Sequence, residues 1–383
     1  MSNKIIHLDC TLRDGGYYND WDFSNEFIND YLLAVSAAQL DYVELGFRFF
    51  DNKGFKGSCA FAREEFLNDL DIPNNLNISI MINASDLIVD GQLIEKRINK
   101  LVPIQKINSK VDLIRIACHF KHLKIILPVF DEIKKLGYMT GCNIMQISEC
   151  SRDDLLEISS DISYSSIDIL YFADSLGSLL CNNIQSIYNC LKSNWNGPIG
   201  IHAHDNMGLA LSNTLEALSC GVEWLDSTIT GMGRGPGNVK TEELILELEE
   251  KKHNKANIVP LMKIIRSNFI PLKNKYMWGT NPYYYLAGKF SIHPSYIQSM
   301  LSDKRYTDED ILAVIQNLQK NESSKFNFND LEYAKNFYIG KPNGSWSPKI
   351  IIENRDVLIL GSGRKLSTHR KAVESFIRRK KPL

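Results

Sequence analysis

The sequence predicts an α/β protein built on a (β/α)8 barrel. Eight short runs rich in isoleucine, valine, leucine and tyrosine recur through the first two thirds of the chain. Their centres lie about 30 residues apart, the length of one strand–helix–strand unit. Amphipathic stretches of helical length separate them, and eight such alternations favour a closed barrel over an open sheet. An open dinucleotide-binding sheet would need a G-x-G-x-x-G turn after its first strand, where this chain has Arg13-Asp14-Gly15-Gly16.

The predicted strands are apolar runs of the kind that parallel sheets bury on both faces. They are Lys4–Cys10, Asp41–Gly46, Asn77–Asn83, Val111–Cys118, Tyr138–Ile147, Ile167–Asp174, Pro198–His204 and Glu223–Ile229. Apolar residues spaced three and four apart predict the helices between them. These are Phe27–Ala38, His122–Leu136, Ser151–Ser159, Asn182–Lys192, Gly208–Cys220 and Thr241–Lys251. Ser151 and Asp154 have the spacing of a capping box.

The pattern becomes helical after the barrel. The segment Thr307–Asp310 has the pattern of a capping box that opens the helix Ile311–Gln319. We therefore expect a helical extension, followed by a linker rich in glycine, proline and serine. The predicted boundaries are 1–254 for the barrel, 255–339 for the extension and 340–383 for the linker and tail.

The tail predicts a strand at Asp356–Leu360, a Gly361-Ser362-Gly363 turn and a helix at Thr368–Lys380. One strand–loop–helix unit cannot bury its own faces. It therefore either docks on the barrel or is the first unit of a truncated C-terminal domain. Its glycine turn suits a phosphate-binding loop and a simple tight turn equally.

Composition and charge exclude several classes of protein. The chain is 44% hydrophobic and carries a net charge of −1, which argues against disorder and against a broad basic surface for nucleic acid or membrane. It has no apolar run long enough for a membrane span and begins without the apolar core of a secretion signal. The eight cysteines occur singly, without the paired spacing of zinc sites or disulfide frameworks. We expect a cytoplasmic protein with reduced, mostly buried cysteines.

Polar residues gather where the predicted strands end. In a (β/α)8 barrel, catalytic groups lie at the carboxyl ends of the strands. The candidates are Arg13, Asp14, Glu44, Asn143, Ser175, His202, His204, Gly233, Arg234 and Asn238. Among them, Asn143, Ser175, Gly233 and Arg234 are the expected substrate contacts.

His202 and His204 predict a metal site. Residues two apart on a strand point to the same face, so both imidazoles would face the barrel interior. Asp14 can add a carboxylate oxygen and Asn238 an amide oxygen. This nitrogen and oxygen set suits Mn²⁺, Mg²⁺ or Co²⁺ and lacks the thiolates of a structural zinc site. A pair of hydrogen-bonded core histidines is the alternative.

Arg13 stands directly beside the predicted ligand Asp14. A fixed guanidinium near a divalent ion can hold an enolate oxygen or a keto-acid carboxylate. A simple salt bridge to Glu44 is the alternative. The glycines between Gly231 and Gly237 would let backbone amides approach a ligand, or would simply make a flexible loop.

Four motifs, taken together and in order, resemble the DRE-TIM metallolyases. They are Thr-Leu-Arg-Asp-Gly from residue 11, Asp-Ser-x-Gly from 174, His-x-His-Asp-Asn-x-Gly from 202 and Gly-x-Gly-Arg-Gly-x-Gly-Asn from 231. This superfamily contains 3-hydroxy-3-methylglutaryl-CoA (HMG-CoA) lyase, isopropylmalate and homocitrate synthases, and 4-hydroxy-2-oxovalerate aldolase. The resemblance covers about residues 4–250. The short segment after the barrel makes the chain most similar to the 4-hydroxy-2-oxovalerate aldolase branch.

The resemblance implies a carbon–carbon lyase acting through the metal-bound enolate of a 2-keto acid such as pyruvate, with an aldehyde as the second partner. Asp14, His202 and His204 match the metal ligands of the superfamily, and Asn238 matches a fourth ligand of its acyl-CoA members. Arg13 matches the arginine that stabilises the enolate. The implied cofactor is a divalent metal, with Mn²⁺ first and Mg²⁺, Co²⁺ or Zn²⁺ as alternatives. A homodimer is compatible with the family, and no aldehyde dehydrogenase partner is required.

The chain departs from the pyruvate aldolases at one catalytic position. Those enzymes carry an acid/base histidine just after Arg-Asp-Gly, and Tyr17 stands at that place here. A tyrosine has a reference pKa of about 10 and is a poor base unless that value shifts. We assign the proton at the substrate 4-hydroxyl to Tyr17 or to water on the metal, and expect Glu44 to orient Arg13 or to line the pocket.

Two other functions remain open from the sequence. The first is condensation or cleavage of an acyl-CoA, as in the synthases or HMG-CoA lyase, which Asn238 and the missing histidine favour. The second is a barrel that binds a metal or metabolite without turnover, which the missing histidine and the unusual tail suggest.

Overall fold

The computed structural model describes residues 4–50, 54–252, 256–319, 324–327 and 331, and in them the predicted barrel is confirmed. Eight parallel strands close in chain order, with β8 pairing back onto β1. The strands are β1 (Ile6–Asp9), β2 (Tyr42–Phe47), β3 (Asn77–Asn83), β4 (Val111–His119), β5 (Met139–Met145), β6 (Ile169–Asp174), β7 (Ile199–Ala203) and β8 (Trp224–Ser227). A small antiparallel hairpin, Ile88–Val89 with Gln92–Leu93, follows β3.

Helices surround the barrel and continue beyond it. Those from the barrel region are α1 (Thr11–Gly15), α2 (Asn25–Ala37), α3 (Glu64–Asn68), α4 (Ala84–Leu87), α5 (Lys96–Leu101), α6 (Leu123–Lys135), α7 (Arg152–Ile162), α8 (Cys181–Lys192), α9 (Ala210–Cys220) and α10 (Thr241–Lys252). Those that follow are α11 (Val259–Ile264), α12 (Ile270–Tyr276), α13 (Pro282–Lys289), α14 (Pro294–Leu301) and α15 (Asp308–Gln319). A π-helical turn, Ile265–Phe269, joins α11 to α12. No helix among the described residues is long and apolar enough to cross a lipid bilayer.

Both predicted capping boxes are present. Ser151 accepts the Asp154 backbone N–H (3.1 Å), and the Asp154 carboxylate accepts the Ser151 N–H (2.8 Å). Thr307 and Asp310 make the same reciprocal pair at the start of α15. Each box satisfies backbone donors that have no partner inside the helix.

Two strands, β5 and β8, end two residues earlier than the apolar runs predict. Gln146 has a left-handed backbone (φ 57°), which stops β5 at Met145. Thr228 turns away from the barrel and donates its N–H to the Val239 carbonyl (2.9 Å), which stops β8 at Ser227. Both departures occur at the carboxyl end of the barrel, where backbone turns aim side chains into the opening.

The barrel interior changes from apolar to charged over two residues of β2, β4 and β8. Tyr42, Leu113 and Trp224 belong to an apolar layer at the amino end of the barrel. Side chains two residues further along a strand point to the same face. Those positions hold Glu44, Arg115 and Asp226, so a buried charged layer lies directly on the apolar one.

The helices after the barrel pack over its carboxyl end. The indole N–H of Trp278 donates to the Thr230 carbonyl (3.1 Å), and the Thr280 hydroxyl donates to the Asn206 carbonyl (2.8 Å). Helices α13 to α15 have their own apolar core. Gln146 also donates to the Ser324 carbonyl (2.6 Å), so the extension contacts the loops after β5, β7 and β8.

The predicted boundaries between barrel, extension and tail, after residues 254 and 339, are not tested by the described residues and stay predictions. The linker and tail predicted over residues 340–383 lie outside the described residues. All eight cysteines are described, all are free thiols, and five of them are buried.

Candidate metal and substrate site

Three predicted ligands meet at the carboxyl end of the barrel. Helix α1 turns the chain sharply after β1 and directs Asp14 over the opening, where it is buried. Its Oδ2 lies 3.4 Å from Nε2 of His202 and 3.9 Å from Nε2 of His204. One potential ligand atom from each residue lies within 4.8 Å of the others.

Hydrogen bonds from the far side of each ring orient both imidazoles. Nδ1 of His202 lies 2.9 Å from the Asp226 carboxylate, and Nδ1 of His204 lies 2.9 Å from the Asp174 carbonyl. Both partners can only accept, so each Nδ1 carries the proton. Each Nε2 lone pair therefore faces Asp14, an arrangement typical of metal-ligating histidines.

Asn238 adds an amide oxygen to this cluster. A backbone bridge joins it to His204, and its Nδ2 donates to Nε2 of His202 (3.1 Å). Oδ1 of Asn238 and Oδ2 of Asp14 are buried and have no hydrogen-bond partner among the described residues. Buried oxygens of this kind are costly unless a cation or donor compensates them. One carboxylate, two imidazoles and one amide thus fit a divalent cation.

Electrostatics favour a cation at this point. Burial alone would raise the pKa of Asp14, but the charge of Arg13 and the contact with His202 hold it well below its usual range. Burial, and then the neighbouring His202, lower the pKa of His204 to about 3, so its Nε2 lone pair is free at neutral pH. Burial opposes protonation of His202, yet the contacts with Asp14 and Asp226 outweigh burial and raise its pKa. A cation would therefore compete with a proton for that nitrogen.

Arg13 is held rigidly beside the cluster. Its Nη1 lies 3.0 Å from Asp14, and its Nε donates to Glu44 (2.7 Å). The remaining nitrogen, Nη2, is buried and has no partner among the described residues. Arg13 therefore has one nitrogen, Nη2, left to donate to a molecule bound at this cluster.

Two charged residues that the sequence analysis did not select complete a buried network. Arg115 in β4 donates twice to Glu44 (2.7 and 2.6 Å) and once to Asp226 in β8 (2.7 Å). Because Asp226 holds His202 and Glu44 holds Arg13, the charges form a closed ring through Asp14. This buried charge ring consists of Asp14, Arg13, Glu44, Arg115, Asp226 and His202.

The ring keeps its carboxylates ionised. Burial would raise the pKa of Glu44 and of Asp226, but the positive charge of Arg115 lowers both. Glu44 also lies 3.3 Å from the Ser79 hydroxyl and is fully buried. We infer that Glu44 positions Arg13 and does not itself contact a substrate.

The other predicted residues lie around the opening. Tyr17 is 39% exposed, and the Arg234 guanidinium carbon lies 5.7 Å from the centre of its ring. Asn143 is buried, with an Oδ1 that has no partner among the described residues. The Ser175 hydroxyl accepts the Gln146 backbone N–H (3.0 Å), so in this structure it supports the loop after β5.

His202 also belongs to a second set of three possible metal ligands, with Cys10 and Asp226. Cys10 and Asp226 lie close to its Nδ1 side. Asp226 is already paired with Arg115, and burial raises the pKa of the Cys10 thiol well above its usual value. The cluster of Asp14, His202 and His204 is therefore the better cation site.

A closed (β/α)8 barrel with arginine, aspartate and two histidines at its carboxyl end defines a class of protein, the DRE-TIM lyases and aldolases. Comparison with known sequences agrees with this assignment. The profile of the HMGL-like family matches residues 4–267, and the chain belongs to that family. The resemblance predicted from the four motifs is thereby confirmed.

Individual relatives carry aldolase and decarboxylase names. The chain is 28% identical over 257 residues to a 4-hydroxy-2-oxovalerate aldolase of Carboxydothermus hydrogenoformans, over 65% of this chain and 71% of that one. It is 24% identical over 249 residues to an oxaloacetate decarboxylase of Mycobacterium tuberculosis, which again covers 65% of this chain and 71% of that one.

Solved structures show the same architecture. The N-terminal domain of a candidate aldolase from Bacteroides vulgatus superimposes with a TM-score of 0.72 and 31% identity, over 80% of this chain and 99% of that one. The HMG-CoA lyase of Bacillus subtilis superimposes with a TM-score of 0.56 and 18% identity, over 73% of this chain and 96% of that one. The second likeness concerns the fold alone.

Gly233 offers a direct test of the cluster. A Cβ atom built there would lie 1.9 Å from Oδ1 of Asn238 and 3.1 Å from Oδ2 of Asp14. We expect Gly233→Ala to displace both oxygens and weaken Mn²⁺ binding by about 100-fold or more, as measured by calorimetric titration. Gly208→Ala is the control, because a Cβ there meets no atom within 4 Å, and its left-handed backbone (φ +73°) makes it the more strained of the two substitutions. Equal Mn²⁺ affinity in the two variants would contradict this placement of the site.

Proposed function

We propose that the protein is a divalent-metal-dependent aldolase that makes or breaks a carbon–carbon bond next to the enolate of a pyruvate-type 2-keto acid. The observation that carries the proposal is the pairing of a buried, oriented set of nitrogen and oxygen ligands with the free Nη2 of Arg13. The relatives named 4-hydroxy-2-oxovalerate aldolase support it.

The ligands would be Asp14, His202, His204 and Asn238, with Mn²⁺ as the first choice and Mg²⁺, Co²⁺ or Zn²⁺ as alternatives. When bound, the ion acts as a Lewis acid that polarises the keto oxygen of the substrate. Asn238 makes the set complete with an uncharged oxygen.

Arg13 stabilises negative charge on the keto-acid oxygen. Its Nε and Nη1 are fixed by Glu44 and Asp14, so Nη2 can donate without reorganisation of the side chain. Preorganised donors of this kind stabilise developing negative charge strongly, because they are already oriented when the charge forms. Burial helps by lowering the local dielectric.

Tyr17 acts as a proton donor in this scheme. Loss of solvation around its hydroxyl raises its pKa above the usual value, even though part of the side chain is exposed. A protonated phenol can give a proton to an oxygen and is a poor base. Asn143, with its free Oδ1, can accept a hydrogen bond from a substrate hydroxyl.

Exchange of the pyruvate methyl protons in D₂O tests the proposal without knowledge of the acceptor. We expect protein loaded with Mg²⁺, or with Zn²⁺ if Mg²⁺ proves inactive, to replace these protons with deuterium, as followed by proton NMR. Paramagnetic Mn²⁺ broadens resonances, so samples loaded with it are quenched with chelator before measurement. Metal-stripped protein is the control. Exchange that continues at full rate in stripped protein would overturn the metal dependence.

A second candidate is condensation or cleavage of an acyl thioester, which the position of Asn238 in the cluster favours. Release of free thiol from acetyl-CoA with a keto acid would support it. Absence of both thiol release and exchange, with metal confirmed bound, would point instead to a barrel that binds without turnover.

A further inference from the structure

We propose that Arg234 binds a negatively charged group on the acceptor aldehyde, so that the acceptor carries a carboxylate or a phosphate. This inference rests on the proposed aldolase function. In that reaction C3 of the keto acid loses a proton and bonds to the aldehyde carbon, and the aldehyde oxygen gains a proton.

Arg234 carries a charge that no described residue neutralises. It is half-buried, and among the described residues its Nε has no hydrogen-bond partner and its guanidinium has no carboxylate within ion-pair distance. Its guanidinium carbon lies 5.7 Å from the centre of the Tyr17 ring. A half-buried, unpaired guanidinium loses solvation without compensation, and a bound anion supplies that compensation.

The position of Arg234 favours the acceptor over the keto acid. Arg13 lies in the buried charge ring, where its Nη1 is 3.0 Å from the Asp14 carboxylate. Arg234 instead lies against Tyr17, the proposed proton donor to the acceptor oxygen. The two arginines therefore serve opposite ends of the new carbon–carbon bond.

The helical extension supplies a second donor near Arg234. Pro294 and Tyr284 lie 3.2 and 3.1 Å from the point where a Cβ of Gly235 would stand, so the extension packs on the residue after Arg234. Nδ1 of His293 accepts the Ser295 N–H at the start of α14 (3.3 Å). Burial, and then the charge of Arg234, lower the pKa of His293 to about 2. The imidazole is thus neutral, and because its Nδ1 accepts the Ser295 N–H, its Nε2–H can donate a hydrogen bond to an anion.

Paired aldehydes of similar size test the charge requirement. With pyruvate as donor, succinic semialdehyde is compared with butanal, and D-glyceraldehyde 3-phosphate with D-glyceraldehyde. We expect kcat/KM to be at least about tenfold higher for the charged member of one pair, the gain typical of a hydrogen-bonded ion pair. The pair that shows the preference distinguishes a carboxylate from a phosphate.

Arg234→Gln should reduce that preference to about threefold or less. Arg266→Gln removes the same charge from an exposed position in the extension and should keep the preference. His293→Asn keeps a side chain that can cap α14 but removes the Nε2 proton, and should lower the preference partly.

Three results would overturn the inference. The first is that the native protein shows no higher kcat/KM for the charged aldehyde of either pair. The second is that Arg266→Gln loses this preference as much as Arg234→Gln does. The third is that Arg234→Gln raises the pyruvate KM for methyl exchange tenfold or more. The last would assign Arg234 to the keto acid. If native protein shows no methyl exchange at all, it is the aldolase proposal that fails. NMR titration of native protein and Arg234→Gln with succinic semialdehyde and with butanal then still decides whether Arg234 selects the anionic aldehyde.

Discussion

Replacing His202 with alanine is expected to reduce metal-dependent exchange of pyruvate methyl protons by roughly a thousandfold. A bound cation contributes several kcal/mol of charge stabilisation, and about 4 kcal/mol corresponds to a factor of 10³ in rate. His202 is central because it is buried, lies 3.4 Å from Asp14 and is oriented by Asp226. Asp14→Ala should have an equal effect, since it removes the anionic ligand.

Two measurements accompany the rate for His202→Ala. Calorimetric titration should show loss of the tight Mn²⁺ site, and far-UV circular dichroism should show that the fold persists. His122→Ala is the matched control, because His122 is an exposed histidine at the start of α6. Native exchange in His202→Ala, with no change in metal affinity, would refute the assigned ligand set.

Arg115→Leu is expected to lower the free energy of unfolding by about 3–5 kcal/mol, the cost of removing one partner from a buried ion pair. Arg115 is fully buried and serves both Glu44 and Asp226. Its guanidinium carbon also lies 4.6 Å from the centre of the Tyr171 ring. The substitution leaves Glu44 with Arg13 alone and Asp226 with His202 alone, in the barrel interior where charge that is only partly compensated is costly.

Urea unfolding followed by circular dichroism measures this effect. Lys124→Leu is the control, because Lys124 forms an exposed ion pair with Glu157, and such pairs contribute about 1 kcal/mol or less. If Arg115→Leu were no more destabilising than Lys124→Leu, the charge ring would not be a stabilising element of the barrel.

The fold and the ligand cluster are predictable because each depends on local pattern. Buried parallel strands appear as continuous apolar runs, and a His-x-His spacing directs two rings to one face. Helices α3 and α5 have only five and six residues, too few to show a clear apolar period. The turn at α1, which aims Asp14, likewise has no periodic signal.

The charge ring is harder to predict, because its members come from strands distant in the sequence. Arg115 is the one charged residue in the stretch 113–118, and Asp226 is the one charged residue in the stretch 224–229. That isolation is a usable signal, since a lone charge in a buried strand must find a partner in the fold. Which partner it finds depends on how the strands are arranged when the barrel closes, and this arrangement cannot be read from any short stretch of sequence. The approach of His293 to Arg234 depends in the same way on helix packing.

The pairing of β8 with β1 has a consequence for how the protein is made. Asp14 leaves the ribosome early, whereas Asn238 follows the last strand, and the two approach only when Ile6 pairs with Trp224. Contacts between such distant parts of a chain form late in folding. The nascent polypeptide must therefore complete its barrel before the four proposed ligands meet, so binding of the proposed cation would follow synthesis and would not guide it.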